Sequence, residues 1–296
     1  YVVDGIPVGG FADYNAEDIE SLQVLQGASA AALYGSQAAN GVILITTKKG
    51  RLEMPPQLSI GFNQGFNQPT RIPKMADAPT YMKMLNESAV YHGTAPQFTQ
   101  QDIDAYANPD RDIWLYPNTN WFEEGLRDLS PQNKTNASIA VGGKSVSYFV
   151  SLGYQTQNGY YKNSATKYNQ YNFRSNIDVN VSDNFSLTFN LSGREEERNF
   201  PTVSAGSIFR FLMRGRPTDP AYYPNGFPGP DLENGTQPVV VGTPATGFNK
   251  NQRYFLSGDL VAKLKIPQIE GLSLQGTFSY NQQFQDIKNW QTPWVL

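Results

Sequence analysis

From Leu58 onward, apolar and polar side chains alternate with a period of two, the spacing that sends successive residues to opposite faces of an extended chain. Leu58, Ile60 and Phe62 alternate with Ser59, Gly61 and Asn63, and the pattern returns at Ala137, Ile139 and Val141. Tyr148, Val150, Leu152 and Tyr154 oppose Ser147, Ser151 and Gln155, with Phe149 out of phase. Phe173, Ile177, Val179 and Val181 oppose Arg174, Asn176, Asp178 and Asn180; Phe185, Leu187, Phe189 and Leu191 oppose Ser186, Thr188, Asn190 and Ser192. Tyr254, Leu256, Leu260, Ala262 and Leu264 oppose Ser257, Asp259, Lys263 and Lys265, with Phe255 and Val261 out of phase. Leu272, Leu274, Phe278 and Tyr280 oppose Ser273, Gln275, Ser279 and Asn281. The alternation predicts about seven strands, several of about nine to twelve residues, a length that suits a tilted crossing of hydrocarbon. Strands of a soluble sandwich run to roughly five or six residues.

The connections carry an independent signal. Long excursions at about 68–134 and 199–251, and a medium loop through Asn158-Gly159, alternate with tight turns at Gly142-Gly143-Lys144, Ser182-Asp183-Asn184 and Pro267 to Gly271. Outer-membrane barrels alternate short periplasmic turns with long extracellular loops. That phase orients the chain, with the first long strand running outward and every tight turn periplasmic. Inside the excursions, Asp77 ahead of Pro79 starts a predicted helix that ends at Tyr91, Gln100 to Ala107 predicts a second and Ser207 to Met213 a third. Pro and Gly crowd the stretch from Pro217 to Pro244, as in an irregular surface loop.

The first 50 residues have another rhythm and read as a small α/β unit. Tyr1 to Val3 predicts a short strand ending at the Asp4-Gly5 turn, and Ala16 to Leu25 mixes helical and extended signals. Ala28 to Ala39 is rich in Ala and broken by Gly35, and Asn40-Gly41 turns into the β-branched run Val42 to Thr47. Composition fits a membrane barrel and also a lectin-like sandwich: 13% of residues are aromatic but only 17% are charged, against about a quarter in soluble domains. With a net charge of −3 and no run of Lys or Arg, nucleic acid is a poor partner. The absence of Cys removes disulfides, thiol nucleophiles and zinc–thiolate sites. Val42 to Ile45, the longest aliphatic stretch, is far too short for a membrane helix, so any crossing is made by strands. The chain opens on Tyr1 with no apolar leader, and the expectation is a longer, exported precursor.

The run SLQVLQGASAAALYGSQAANGVILITTKKG, with YVVDGIP ahead of it, closely resembles the plug signature of the SusC/RagA family of TonB-dependent outer-membrane transporters. Its signature residues are Asp4, Gly5, Gly27, Ala28, Ala30, Tyr34, Gly35, Asn40 and Gly41. Gln26 and Gln37 depart from the family's usual form, as does the residue before Trp121 in NWFEEGLR, where an acid is more common. The GGK turn with SYFVSLGYQTQNGYY and the RPTDPAYYPNGF stretch extend the likeness at lower specificity. The resemblance implies a mainly β fold: residues 1–50 are the C-terminal part of a plug, and residues 51–296 are about seven strands of a transmembrane antiparallel β-barrel of roughly 22. It further implies energy-coupled import of oligosaccharides or oligopeptides across the bacterial outer membrane. The implied partners are a SusD-like surface lipoprotein, the TonB-ExbB-ExbD complex reached through a more N-terminal segment, and outer-membrane lipid. Expressed alone, seven strands leave two sheet edges, and unpaired backbone groups in hydrocarbon cost several kcal/mol each. The chain by itself is therefore expected not to insert stably, and a heat-modifiable, protease-resistant band after refolding would overturn this.

Other chemistry is thinly represented. Gly27, Gly35 and Gly41 lack the spacing of a phosphate cradle and read as tight turns. His92, the single histidine, reads as a helix C-terminal residue rather than a triad member or metal ligand. Glu195, Glu196 and Glu197 between Arg194 and Arg198 read as one solvated, self-neutralising cluster, and Asp110 and Asp112 take the same reading. No catalytic set, metal site or cofactor motif emerges. The loop aromatics Trp114, Tyr116, Trp121, Tyr222 and Tyr223 read first as packing loops against one another or against a lid, with substrate contact as the alternative, and Arg174, Asn176, Asp178 and Asn180 are the candidates for lining the lumen. The competing readings are a soluble β-sandwich that binds glycans through those aromatics and, more weakly, a hydrolase.

Overall fold

The period-two segments form one antiparallel sheet in a computed structural model that describes every residue except 11–13, 28, 29, 31, 33, 39, 233–235 and 294–296. Ala28 of the signature thus lies outside the described residues. The sheet is a meander in chain order: β5 (Gln57–Asn67), β6 (Ser130–Gly142), β7 (Val146–Asn158), β8 (Lys167–Ser182), β9 (Phe185–Phe200), β10 (Gly247–Lys265) and β11 (Ser273–Gln291). It does not close, and β5 and β11 are its terminal strands. Several strands outrun the sequence expectation, with β10 and β11 reaching 19 residues each. Their pairing continues past the apolar positions through Asn249, Asn251 and Gln252, polar residues that leave no alternation to read.

One face of the wall is apolar and uncovered. Leu58, Ile60, Phe62, Leu152, Phe189, Leu256, Phe278 and Phe284 are all exposed. On β10 this face runs from Tyr254 to Leu264, about 34 Å of strand at ~3.4 Å per residue. Tilted by about 40°, that length spans about 25 Å, the height of the apolar band on a membrane barrel. No helix among the described residues is long and apolar enough to cross a membrane, which leaves strand crossings untouched.

The other face carries a small sheet ordered β2-β1-β4-β3, made of β1 (Val2–Val3), β2 (Ile6–Pro7), β3 (Ile19–Leu25) and β4 (Val42–Thr47). The extended reading of 19–25 prevails over the helical one. β1 and β2 form a hairpin whose turn residues Asp4 and Gly5 both have positive φ, 49° and 87°, as a two-residue turn of the favoured twist requires. Val2, Ala30, Ala38 and Val42 form its small core, with Tyr34 packed against them. Gly27, Gly35 and Gly41 all sit at positive φ, and Asn40 is exposed beside Gly41.

Between the sheets, residues 48–56 run across the β6–β7 turn, where the Gly142 amide donates to the Met54 carbonyl at 2.9 Å and the Glu53 amide to the Gly143 carbonyl at 3.0 Å. The backbones meet so closely that a Cβ on Gly142 would lie 1.9 Å from the Arg51 carbonyl oxygen.

The long excursions are structured. Residues 68–129 hold α1 (Ala78–Tyr91), α2 (Gln100–Ala107) and α3 (Trp121–Gly125), and residues 201–246 hold α4 (Ala205–Arg214). Asp77 caps α1 by accepting from the Thr80 amide, and Thr99 with Asp102 forms a capping box on α2. His92 caps the C-terminus of α1, its Nδ1 2.7 Å from the Ser88 carbonyl oxygen. The Pro-rich stretch is less irregular than expected: Val239, Val240 and Val241 are buried with Trp121, Phe122, Ile208, Phe211 and Leu212 in a core shared by both excursions.

Candidate functional site

The two phenylalanines that break the alternation mark where the small sheet touches the wall. Phe149 is 3% exposed on the face that carries the plug-like sheet, and the ring of Phe255 meets that of Tyr14 edge-on at 6.2 Å. Around them the seam is polar and buried. Ser147, Ser151, Gln170, Asn172, Arg174, Asn176, Asn190 and Ser257 are all buried on this face. A crevice of ≈ 440 Å³ remains beside them, lined by Glu20, Lys48, Gln57, Ser138 and Phe149 among others.

Arg174 is at the centre. Cross-strand register sets it opposite Ser151 on β7 and Ser192 on β9, so small side chains flank it and leave room for the guanidinium. Its Nη1 lies 3.9 Å from Asp4 Oδ2 and its Nε 3.8 Å from Asp18 Oδ2, with both carboxylates and the guanidinium almost fully buried. The guanidinium also covers the Tyr14 ring at 5.2 Å, a desolvated cation–π contact. Asp4 is held by Thr47, whose amide and hydroxyl donate to its two oxygens at 2.9 and 2.6 Å. Asn176, 1% exposed, donates to Thr47 Oγ1 at 2.9 Å and to the Lys48 carbonyl at 2.7 Å. Further along, Asn15 donates to Asn136 at 3.0 Å. Gly153 makes this possible, since a Cβ there would come within 2.8 Å of the Asn15 amide nitrogen.

Burial raises the Asp18 carboxyl above its ordinary value of 3.8, and the hydrogen bond from Ser151 and the charges of Arg174 and Lys48 only partly offset it. The folded protein therefore holds this proton more tightly than the unfolded chain. Asp18's contribution to stability is fully present below the unfolded value of 3.8 and is lost as pH rises through the raised folded value. Removing the titration should expose it: as pH rises through that window, wild type is expected to lose stability relative to Asp18→Asn. Denaturant midpoints measured across the window check this, and parallel pH curves for the two proteins would refute it.

The sequence-predicted lumen residues do not form one open path. Arg174 and Asn176 are buried in the seam, Asp178 is half-buried and accepts from the Thr188 hydroxyl at 2.5 Å, and Asn180 is exposed near the β8–β9 turn. The loop aromatics divide: Trp121 and Tyr222 share the loop core, and Trp114, Tyr116 and Tyr223 lie outside it. Trp121 is 3% exposed inside the loop core and donates through Nε1 to the Arg216 carbonyl, so it has almost no surface to offer a ligand. Tyr222 packs against the same core, Tyr116 stacks edge-on with Tyr106 at 5.4 Å, and Trp114 and Tyr223 are exposed. The acidic run is a correction to the sequence reading, because a strand splits it between faces. Glu197 pairs with Lys250 at 2.8 Å on the outer face. Glu196, 3% exposed, faces inward among Arg194, Arg198 and Arg253. Tyr14, Asn15, Asp18 and Thr47, the small sheet's side of the seam, were not singled out by the sequence; the only hint was the pair of out-of-phase phenylalanines on the opposite side.

The small sheet that seats on this seam also carries the family signal: residues 1–42 match the family model described as TonB-dependent Receptor Plug Domain. The chain is 33% identical over 231 residues to TonB-dependent receptor P26 of Formosa agariphila, covering 76% of this chain and 22% of that protein. It is 29% identical over 234 residues to TonB-dependent receptor SusC of Bacteroides thetaiotaomicron, covering 75% and 21%. Its fold is similar to the solved RagAB peptide transporter, with a TM-score of 0.72 at 20% identity over 96% of this chain and 34% of that one. The open-open state of the RagAB peptide importer matches at a TM-score of 0.71 and 22% identity. The chain spans 22% and 21% of the two curated relatives.

Proposed function

Because the chain belongs with the SusC/RagA-type TonB-dependent receptors, we propose that it is the plug-to-barrel portion of an outer-membrane nutrient importer. Residues 1–50 are the C-terminal part of the plug and residues 51–296 the first strands of the barrel. The observation that carries this reading is the small sheet seated through a buried polar seam on the inner face of a wall whose outer face is an uncovered apolar band. A soluble sandwich packs a second sheet on its apolar face, and among the described residues no sheet covers this one.

In this reading the receptor takes up oligosaccharides, with oligopeptides the alternative, at the expense of energy delivered by TonB-ExbB-ExbD, and works with a SusD-like surface lipoprotein. The seam gives the coupling a physical object. A polar, hydrogen-bonded contact can be parted and remade in water more readily than a greasy one, because each group finds a substitute partner. Import is expected to require both the receptor and TonB. Uptake of labelled oligosaccharide by a strain lacking the receptor, complemented with the wild-type gene, measures the first, and the same assay after TonB disruption measures the second. Undiminished uptake in the uncomplemented receptor-deletion strain, or after TonB disruption, would sink the proposal.

A further inference from the structure

The outer face of the wall is not evenly filled. A hollow of ≈ 790 Å³ opens over β9, walled by Leu152, Tyr171 and Phe173 on one side and by Tyr254, Leu256 and Phe284 on the other. Gly193 is its floor, set by cross-strand register between Phe173 on β8 and Leu256 on β10. Nothing in the fold demands glycine there. Its φ lies outside the left-handed region, and a Cβ would meet only the Phe255 carbonyl oxygen, at 3.8 Å. The missing side chain therefore serves to leave space. At least two strands flank β9 on either side, so the space lies within the sheet and not at its edge.

One end of the hollow is acidic. Tyr171, Glu195, Tyr254 and Phe284 share a register row, and the Tyr254 hydroxyl donates to the Glu195 carboxylate. The next outward-facing row holds Asn169, Glu197, Gln252 and Asp286, and the one beyond it Lys167, Asn199, Lys250 and Lys288. Lys250 is taken by Glu197 at 2.8 Å, and Glu195 and Asp286 enter no ion pair among those described. The carboxylates thus stand next to the hollow, and the unpaired Lys167 and Lys288 stand further out.

We infer that this hollow binds one outer-membrane lipid with an ammonium headgroup, an acyl chain lying over Gly193 and the ammonium on Glu195. The inference rests on the reading of the wall as part of a membrane barrel. Lipid tails are as apolar as leucine, so a bilayer supplies no hydrophobic drive into the hollow. The drive is contact, because the rings and leucines around a gap forfeit dispersion until a chain fills it. Tyrosines, apolar in body and polar at the tip, suit the level where hydrocarbon meets headgroups. An ammonium brings three N–H donors and forms charge-assisted hydrogen bonds with a carboxylate; a trimethylated headgroup lacks those donors, and an anionic headgroup is repelled.

The test incubates the complete receptor in detergent with equal amounts of phosphatidylethanolamine, phosphatidylcholine and phosphatidylglycerol of identical chains, and reads bound lipid by native mass spectrometry. Wild type is expected to retain one phosphatidylethanolamine, at about fivefold or more over either competitor, the advantage of a charge-assisted hydrogen bond over none. Gly193→Leu, whose Cβ meets no clash, should lose most of that retention by occupying the floor. Glu195→Gln should keep the chain site and lose the headgroup preference. Ala262→Leu adds bulk to the same face away from the hollow and should leave retention unchanged. Should Gly193→Leu not fold, as judged by heat-modifiable mobility, the wild-type ranking and Glu195→Gln still decide. Equal retention of the three lipids, a preference for phosphatidylglycerol, or retention that survives Gly193→Leu would each overturn the inference while leaving the barrel reading intact. A fall in oligomeric mass in Gly193→Leu would assign the hollow to a second copy of the receptor and overturn it too. A complete receptor that stays in solution without detergent would instead defeat the barrel reading.

Discussion

Replacing Arg174 by Met should loosen the small sheet from the strand wall at a cost of about 3–5 kcal/mol, the range for removing one partner from a buried ion pair. The cost comes less from the missing guanidinium than from the two carboxylates it would leave buried without a counter-charge. Asp4 and Asp18 are each buried and 3.8 to 3.9 Å from the guanidinium, and no other cation approaches them so closely among the described ion pairs. Burial already outweighs the pull of Arg174 on Asp18, since that carboxyl is raised rather than lowered. The seam is thus costly to build and more costly to break halfway. Arg174→Lys should recover only part of the loss, because an ammonium cannot both reach two carboxylates and lie flat on Tyr14. Protease sensitivity of the N-terminal sheet in the complete receptor measures the effect, and wild-type resistance in Arg174→Met would show the seam to be held elsewhere.

The second large effect is expected at Trp121. Truncation to Ala should cost the loop core about 3–5 kcal/mol, the usual range for a buried large aromatic. The indole is enclosed by Phe122, Ile208, Phe211 and Leu212, and its Nε1 satisfies the Arg216 carbonyl at 2.9 Å. Gly215 approaches so near that a Cβ there would sit 2.3 Å from the ring, so Gly215→Ala should disturb the same core from the other side. Limited proteolysis within residues 201–246 should accelerate in Trp121→Ala while the heat-modifiable mobility of the barrel stays as in wild type. Loss of ligand binding with an intact protease pattern would point to direct substrate contact instead.

How much could be read from the sequence depended on whether the determining contacts were local. The strand wall was legible because one face must meet an apolar medium at every second residue, and α1 and α2 because Asp77 and Thr99 cap them within a single turn. α3 was missed, since five residues headed by two aromatics carry little helical signal and hold their shape through packing against α4. Strand ends were underestimated where inner and outer positions are both polar, as at Asn249 to Gln252. The seam was half legible. Arg174 and Asn176 fell on the correct face by parity, but Asp4 is 170 positions from Arg174, and an Asp-Gly turn already accounts for itself locally. The split of Glu195 and Glu197 from Glu196 follows from parity too, and only the density of charge in the run hid it.

The shared loop core has a mechanical consequence. Pro217 and Arg216 in the second excursion accept from Thr119 and Trp121 in the first, at 2.9 Å each. The β7–β8 loop joins them where the Arg127 amide donates to the Tyr160 carbonyl at 2.7 Å and the Lys162 amide to that of Gly125 at 2.9 Å. Three spans rooted at different points of the rim are thereby welded into one gusset. A push on any one span is shared by the other two, so bending is concentrated at the six strand ends on which the gusset stands, Asn67, Ser130, Asn158, Lys167, Phe200 and Gly247.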